Sequence, residues 1–588
     1  MPAGLLRSPE QARSRPCHPR RPGAVVPPFL LTTEPWIPVW DLDTEGPRDV
    51  GLAEALTRAH RLALATVTAE HFPILRVLTA LYDAACGPAS TVEWDSAWKA
   101  DTLDTARITA YLDRWADSFD LFHPERPAFQ AGGLTHYNRG PEALHPGRLG
   151  GESGVWFHPE LLTGVRPWEP GHAARLLLHL LAYDPAGIKA AAPDDPAARG
   201  GKVYGGQISP LAGVTHAHLA ISGHSIKDLL LLNLPPQPRT PGDRPVWERE
   251  SPPVPMRVRS PAGRLDLLTW PGRRIRLHAT ADGMVDAVAH YDGDRVAESW
   301  GSNHQLDPMT AWRAARAGTP APFPFLNIEQ TPCIWRAASL LDNPANWAVL
   351  QHVIGAAERG VLPADLPLRA VMSTVVYSNR HRSTISDIAI AQMPLGTTGQ
   401  LTDTETRTGL ATMSRYTGAV EANLRKTAID VSRLPSARIE HRTLFTNLDF
   451  AWEGALDASI RDLAQARTVW HQAIAEAANS NIDCLPLKPA QKEQIRATYL
   501  ARPASDERGT RPKKASSPQP GPAKRRGGGP RAQRYEIFGG QYTLSGVSQH
   551  PDCVVSYKTL RDRVSEGWSV VDAATTPGRR GPRQTDTT

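Results

Sequence analysis

The residues best suited to chemistry in this sequence lie in a glycine-rich stretch that also carries a lysine and a tyrosine. Two pairs, Gly200-Gly201 and Gly205-Gly206, flank Lys202 and Tyr204. Glycine has no Cβ, so its backbone can approach a ligand closely, and a lysine supplies a point charge for phosphate. The pattern indicates a nucleotide or nucleic-acid contact. The order G-x-x-x-x-G-K-[ST] of a phosphate-binding loop is missing, so a plain flexible loop is the alternative interpretation.

A second group of residues suited to nucleic-acid contact lies between Leu144 and Pro159, in LHPGRLGGESGVWFHP. Its glycines predict a mobile loop, and Trp156 and Phe157 offer flat faces on which bases can stack. Ser153 does not stand in a G-x-S-x-G motif, so the stretch is not the nucleophile turn of a hydrolase. A surface loop held in place by a buried aromatic pair is the alternative interpretation.

A third group is an arginine row in LDLLTWPGRRIRLHA, which starts at Leu265. The pattern predicts a β-hairpin with strands at 265–270 and 273–277, joined by a turn at Pro271-Gly272. Since side chains alternate along a strand, Arg274 and Arg276 share one face of the second strand. An exposed arginine face can follow a phosphate backbone, and a merely solvated face is the alternative.

Enzyme chemistry is not indicated by any motif in the sequence. There is no H-E-x-x-H, no phosphate loop and no carboxylate cluster with ligand spacing, so we predict a noncatalytic protein without metal or cofactor. The five cysteines include no C-x-x-C pair, which favours a reducing compartment, the cytoplasm, over a structural zinc site. No apolar run is long enough to span a membrane.

The elements that must position these residues predict an α+β fold in a chain of 588 residues. A large mixed N-terminal domain precedes a helical bundle of four helices, whose apolar residues recur every three or four positions. A disordered basic linker and a small helical module follow. The predicted division is an extension at 1–28, the α+β domain at 29–385, the bundle at 386–501, the linker at 502–534, a helix-turn-helix-like module at 535–578 and a tail at 579–588.

The C-terminal module resembles small helix-turn-helix-like modules found beside homing and phage endonucleases, through VSYKTLRDRVSEGWSVVDAATTP. Ser556 is expected to cap its second helix. The residues then expected to face a DNA groove are Tyr557, Lys558, Arg561 and Arg563.

Five spaced motifs resemble, in the same order, the CasA family, the large subunit of the type I-E Cascade CRISPR surveillance complex. They are TEPWIPV, FDLFHPERPAFQ, the glycine stretch followed by IKDLLLLNLPP, then PVWER, then LDLLTWPGRRIRL. The resemblance covers residues 29–501. Members of the family end before a module such as 535–578, and the clustered cysteines of its better-known member are absent, so this resemblance implies no zinc-stabilised loop.

The resemblance implies that the chain recognises a protospacer-adjacent motif, a short duplex mark on foreign DNA, through the minor groove. Gly200, Gly201 and Lys202 match the glycine loop that approaches the groove. Arg295 lies near the position of the family's basic finger. Because the minor groove distinguishes A·T from G·C poorly, such a reader is expected to be permissive about the motif.

The resemblance also implies a wedge that enters the base stack, expected at Asn379, Arg380 or His381. His381 stands where the family has a glutamine, which leaves open which of the three enters, and a buried structural histidine is the alternative for His381. Trp156 and Phe157 match a loop that reaches the guide RNA end and a neighbouring subunit.

The partners that the resemblance implies are the other Cascade subunits, the CRISPR guide RNA, target double-stranded DNA and a helicase-nuclease. In that interpretation guide RNA reads the target sequence, while this chain reads the motif and helps to start R-loop formation. Two rival hypotheses stay open. One is a DNA-binding regulator that acts through the C-terminal module, and the other is an enzyme whose site is assembled from residues that spacing cannot connect.

Overall fold

The computed structural model of the chain describes most of the sequence. The described residues are 26–66, 70–145, 166–185, 187–206, 216–221, 223–252, 254–297, 307–313, 323–324, 334–377, 385–432, 442–501, 534–538, 540–548, 550, 552–555, 557–566 and 568–576. The chain divides into two compact units, residues 1–510 and 511–588.

The first half of the large unit combines helices with short sheets. Its helices are α1 (Leu52–Thr57), α2 (His71–Cys86), α3 (Thr91–Lys99), α4 (Thr105–Arg114), α5 (Pro170–Tyr183), α6 (Ile226–Leu232) and α7 (Arg264–Leu268). Its strands are β1 (Ile37–Asp41), β2 (Gly46–Val50), β3 (Leu62–Leu64), β4 (Gly187–Ala190), β5 (Lys202–Gly206), β6 (His216–Ala220), β7 (Val258–Arg259), β8 (Arg273–Ala279), β9 (Val285–Asp292) and β10 (Arg295–Val296).

The second half of the large unit is a long hairpin followed by helices. It contains β11 (Trp312–Arg313), β12 (Phe323–Pro324), α8 (Ala348–Glu358), β13 (Pro367–Tyr377), β14 (Ile385–Thr397), α9 (Thr398–Thr402), α10 (Thr404–Ser432), α11 (Arg442–Ser459), α12 (Leu463–Cys484) and α13 (Pro489–Ala501). Short 3₁₀ helices lie at Ala59–Arg61, Ala116–Phe119, Pro141–Leu144, Val246–Glu248, Ile334–Asp342 and Pro344–Asn346.

The β4-β5 hairpin carries the candidate site, and two further sheets support it. One is the β14-β13-β6 sheet, and the other is the antiparallel ladder of β8 with β9, from Arg273–Asp292 to Ala279–Val285. A separate sheet has the order β2-β1-β3. Helix α2 is buried on most of its surface and lies in the same apolar core as strand β1 and helices α5 and α6. Two smaller apolar clusters lie at the candidate site itself, one with Tyr183 and Tyr377 and the other with Ala192, Ala289 and Tyr291.

The predicted hairpin at 265–277 is wrong in its first strand. Residues Arg264–Leu268 form helix α7, and the strand at Arg273–Ala279 pairs with β9 instead. The reason is a cap from far away in the sequence: the Asp243 carboxylate accepts the backbone N–H groups of Leu265 and Asp266 at 3.0 and 2.9 Å. A carboxylate at a helix N-terminus stabilises the helix, and no local pattern reveals this one.

The helical C-terminal part of the large unit begins later than predicted. Residues 386–397, assigned from the sequence to the bundle, belong to strand β14 and pair with β13. Helices then occupy Thr398–Thr402, Thr404–Ser432, Arg442–Ser459, Leu463–Cys484 and Pro489–Ala501. The Trp470 indole donates to Thr417 Oγ1 at 2.9 Å and lies 5.2 Å from the Trp452 ring, so α12 packs on both α10 and α11. Their closure into a four-helix bundle stays a prediction.

The small unit contains the hairpin β15 (Arg534–Ile537) and β16 (Gly540–Thr543), followed by α14 (Leu544–Ser548), α15 (Tyr557–Ser565) and α16 (Val570–Thr575). Helix α15 begins at Tyr557, directly after Ser556, where the sequence predicts the second helix of the module. The unit has its own apolar core, made of Ile537, Val547, Leu560, Ala573 and Ala574. Its assignment as a helix-turn-helix stays a prediction.

Candidate nucleic-acid interface

The glycine-rich stretch forms a tight turn, called the tip below, and then strand β5 of the β4-β5 hairpin. The turn, at residues 199–202, ends the loop that joins β4 to β5. Arg199 and Lys202 exchange two backbone hydrogen bonds, at 2.8 and 3.2 Å, across a two-residue turn. Both turn residues are left-handed, with φ of 58° at Gly200 and 71° at Gly201. Paired positive φ values are typical of a type I′ turn, which glycine adopts without strain. Within the described part of the chain no atom lies within 4 Å of where either Cβ would stand, so the tip is bare backbone.

The inner face of this hairpin is fixed to the core by an ion pair. Lys189 Nζ on β4 lies 2.6 Å from the Asp184 carboxylate, which also accepts a hydrogen bond from Arg273 Nε at 2.5 Å. His290 Nε2 lies 3.4 Å from the same carboxylate. Burial by itself would raise the pKa of this carboxyl, but the adjacent cations outweigh burial and hold its pKa well below the usual range. Asp184 is therefore a charged, buried anchor for β4.

Arg295 holds the other strand of the hairpin. Its Nη2 donates to the backbone oxygen of Tyr204 at 3.1 Å and to the Asp292 carboxylate at 2.6 Å. Only 14% of the Arg295 side chain is exposed. Two groups that the sequence could connect only through a family resemblance, Arg295 and the glycine stretch, are thus brought into contact.

The strand that leads to the predicted wedge meets the same place. The Tyr377 hydroxyl, at the end of β13, donates to the backbone oxygen of Tyr183 at 2.9 Å. Tyr183 is the last residue of α5, and Asp184 follows it. Asn379, Arg380 and His381 lie outside the described residues. The hairpin and Tyr377, the last described residue before the predicted wedge, are therefore both bonded to the carboxyl end of α5.

Helix α5 is a firm support because it is held in the core. Pro170 occupies its first turn, where a missing N–H costs nothing. Residues 176–180, which go once around the helix, are four leucines and His179, and all five are buried. The His179 ring centroid lies 5.1 Å from that of Tyr183. Burial lowers the pKa of His179 to about 4, so the helix carries a neutral imidazole near pH 7.

The predicted phosphate-contacting arginine face is wrong for Arg274. Its side chain is 0% exposed, and its guanidinium donates to the Asp294 carboxylate and to the Pro271 oxygen at 2.9 Å. Arg276 donates to the backbone oxygens of Gly132 and Pro124. Arg274 is buried and Arg276 is half-buried, so the alternation along β8 does not mark a solvent-exposed arginine face.

The remaining predicted contact residues lie in the stretch 144–159 and in the small unit. Trp156 and Phe157 lie outside the described residues. In the small unit, Arg563 donates to the Ala573 oxygen at 3.2 Å and its guanidinium lies 5.0 Å from the centre of the Trp568 ring, so it ties α15 to α16. Arg561 is exposed.

The remaining predicted residues of the small unit, Tyr557 and Lys558, form the first turn of α15. Asp184, Lys189 and Asp292 are site residues that sequence reasoning missed. Arg273 and Asp184 are 89 positions apart, so no local spacing signals their pairing.

Metal and membrane features are absent from the described ranges. No group of three or more His, Cys, Asp or Glu side chains there is placed to hold a metal ion. None of the helices described is long and apolar enough to cross a membrane.

Comparison with known proteins places the chain in a family. The sequence model of the CRISPR-associated protein Cse1 family matches residues 31–480. A Thermus thermophilus protein named CRISPR-associated protein CasA/Cse1 is 31% identical over 328 residues, which cover 53% of this chain. This chain spans only 60% of the length of that relative.

Solved structures share the fold. The crystal structure of Thermobifida fusca Cse1 superposes with a TM-score of 0.67 at 24% identity, covering 80% of this chain and 98% of that one. A chain of a CRISPR RNA-guided surveillance complex superposes with a TM-score of 0.58 at 20% identity, covering 81% of this chain and 100% of that one. Since the family match extends over well more than half of the sequence, this chain belongs to the CRISPR-associated Cse1 family.

Proposed function

We propose that this chain is the large, noncatalytic subunit of a cytoplasmic type I-E Cascade complex and recognises a protospacer-adjacent motif in foreign double-stranded DNA. Its partners are the other Cascade subunits, the CRISPR guide RNA, the target duplex and the helicase-nuclease that it recruits. The observation that carries the proposal is that two elements meet at the end of α5: the glycine hairpin, through Lys189, and the last residue of β13, Tyr377. Arg295 contacts the same hairpin at the Tyr204 oxygen.

The hairpin tip is suited to the minor groove. Its turn is bare backbone at Gly200 and Gly201, so it can lie against sugar edges where any side chain would clash. Arg199 and Lys202 flank the turn and are exposed, which places two cations where phosphates line a groove. Such a tip reads groove shape and the A·T or G·C class of a base pair more than its identity.

The anchoring of the hairpin matters for opening the duplex. Prying a base step apart costs a few kcal/mol and needs a rigid intruder. Lys189 and the Tyr204 peptide are each held by a buried ion-pair system, so the hairpin can resist that load. The predicted wedge, at 379–381, follows a strand whose end is tied to the same helix. The hairpin would bind the duplex while the wedge enters the base stack. The guide RNA would then pair with the separated target strand.

A randomised-flank binding experiment tests the proposal. The complex is assembled with this chain and a guide RNA, and is mixed with duplexes that share one target but carry random flanking bases. We expect the bound fraction to be enriched in a short motif on one flank, and the enrichment to vanish when the chain is omitted. Target binding without any flank enrichment would contradict motif recognition by this chain.

Gly200→Asn is the sharpest variant for this experiment. Asn-Gly is a favoured pair in type I′ turns, so the hairpin should persist while a side chain is added to the tip. We expect flank enrichment to fall by about tenfold, the effect of losing roughly 1.4 kcal/mol of binding free energy. Gly242→Asn is the matched control, because Gly242 is also left-handed with open space around it and lies outside the hairpin. It should leave the enrichment unchanged.

A further inference from the structure

The outer face of the glycine hairpin carries two large exposed side chains that motif recognition does not use. Tyr204 on β5 is 52% exposed and Ile188 on β4 is 57% exposed. Their neighbours along the strands, Val203 and Lys189, point inward and are held in the core and by Asp184. The exposure of the outer pair is therefore fixed by the pleat of an anchored hairpin.

An irregularity in the ladder puts the two side chains opposite each other. Gly187 pairs with Gly206 and Lys189 pairs with Val203, so Tyr204 and Gly205 both lie opposite Ile188. Such a bulge redirects side chains at functional sites. The Tyr204 peptide is also held by Arg295, at 3.1 Å from its oxygen. The Tyr204 ring is therefore exposed, while the backbone that carries it is held by a hydrogen bond from Arg295.

The charge around this pair favours one class of partner. Between Arg199 and Gly206 the chain carries two cations and no acidic residue, and β4 has no acidic residue either. The acidic residues of the hairpin, Asp194 and Asp195, lie in the loop between its strands, and Asp195 is buried. Arg199 and Lys202 are both exposed. A flat aromatic ring beside cations is suited to a nucleic-acid strand, since bases stack on the ring and phosphates lie against the cations.

We propose that Tyr204, supported by Ile188, is a stacking platform for an unpaired nucleotide, with Lys202 and Arg199 neutralising the adjacent phosphates. Inside a duplex both faces of a base are covered by its neighbours, so the ring can accept a base only where the strands have separated. The proposal rests on the proposed function, because opening of the duplex beside the hairpin is what would supply the unpaired nucleotide. Tyr204 would then hold the first opened position and slow reclosure.

The test uses the assembled complex and two DNA substrates. One is a fully paired motif-bearing duplex, and the other is the same duplex with unpaired bases beside the motif and 2-aminopurine at the first unpaired position. We expect Tyr204→Ala to weaken binding of the pre-opened DNA on the order of tenfold, the effect of losing one stacked base. The fluorescence quenching of 2-aminopurine should be lost as well. Initial contact with the paired duplex should not change, because it depends on the cations.

Tyr204→Phe is the conservative variant, because it keeps the ring and removes only the hydroxyl. It should restore both affinity and quenching to within about twofold of the wild type, since stacking uses the ring face. Since Tyr204 is exposed, both variants are expected to fold, and thermal unfolding of each complex checks this.

Two results would overturn the proposal. The first is wild-type affinity and quenching of Tyr204→Ala on pre-opened DNA, while flank enrichment by the wild type shows that motif recognition stands. The second is loss of complex assembly in Tyr204→Ala, which would assign this face to a protein contact. If the wild type lacks flank enrichment yet Tyr204→Ala still loses quenching, motif recognition fails and the platform stands.

Discussion

Burial sets the charge state of His179, and with it the response of the large unit to acid. The side chain is 2% exposed, and neither ring nitrogen has a hydrogen-bond partner among the described residues. Its pKa is lowered from 6.5 to about 4 in the folded chain. Between these values the unfolded state binds a proton that the folded state does not. Stability from this group is therefore fully present above about pH 6.5 and is lost as pH falls toward 4.

Replacing His179 with leucine should flatten this pH dependence. At pH 5 the wild type is expected to lose about 2 kcal/mol of unfolding free energy relative to pH 7 from this residue, and His179→Leu should not lose that part. The unfolding free energy of His179→Leu should still depend partly on pH, because burial also lowers the pKa of His218. Denaturant unfolding at the two pH values measures the difference. His136→Leu, at an exposed histidine, is the control. Equal slopes for His179→Leu and the wild type would refute the assignment.

At the residue scale, the sequence predicts a ligand contact at Gly200 and Gly201, and the structure adds a second reason for glycine at both positions. Absence of a Cβ indicated close approach to a ligand, and the left-handed φ at Gly200 and Gly201 adds a conformational need for glycine. Alternation along a strand was a poor guide to Arg274, because the Asp294 carboxylate that makes its burial tolerable lies 20 positions away. Periodicity reports which residues share a face, and only tertiary partners decide whether that face is exposed.

At the scale of elements, the glycine hairpin and β13 are both attached to the end of α5, and this attachment is called the joint below. Asp184 binds Lys189 of the hairpin and Arg273 of β8, while the preceding carbonyl, of Tyr183, accepts the Tyr377 hydroxyl. Removing the Asp184 charge would take the ion-pair partner from Lys189 in a medium of low polarity, whereas Arg273 would still lie 3.4 Å from the Asp292 carboxylate. The attachment of β4 should therefore weaken most when this carboxylate is neutralised.

Asp184→Asn should loosen the glycine hairpin. We expect a loss of about 3 to 5 kcal/mol of unfolding free energy, because Lys189 and Arg273 lose their shared counter-charge. Hydrogen exchange at the backbone amides of residues 187–206 should accelerate, and that readout is specific to the hairpin. Asp49→Asn removes an exposed partner of Arg175 at 3.4 Å and should change stability by less than about 0.5 kcal/mol. Unchanged exchange in β4 and β5 would show that the joint does not hold them.

Elements with strong local signals were the most predictable. The three- and four-residue spacing of apolar side chains predicts helices in the region of α10 to α12, and helices are present there. Helix α7 was missed because its capping carboxylate, Asp243, comes from a distant loop. Strand β14 was assigned to the helical region although a local signal marks the start of α9: Thr397 and Gln400 form a capping box there, which the prediction did not use.

At the scale of the whole molecule, the family match and the two units do not coincide. The match ends at residue 480, whereas α13 continues to Ala501, and the small unit at 534–576 lies entirely beyond the match. That unit has its own core, which is what allows a module to be appended to a chain without disturbing the fold before it. Its exposed Arg561 is compatible with the predicted groove contact, whereas Arg563 is committed to holding two helices together.

The most direct measurement follows base-pair opening beside the motif, with a base-analogue fluorophore in the first target position and the assembled complex in excess. A motif-bearing duplex should bind and open, and a duplex with a scrambled motif should not open. Replacing Asn379, Arg380 and His381 together with alanine should leave first contact unchanged, because contact depends on phosphates. The same variant should slow opening by about tenfold or more, because opening needs an intruder at the base step. Equal opening rates for the motif-bearing and scrambled duplexes would contradict motif recognition by this chain.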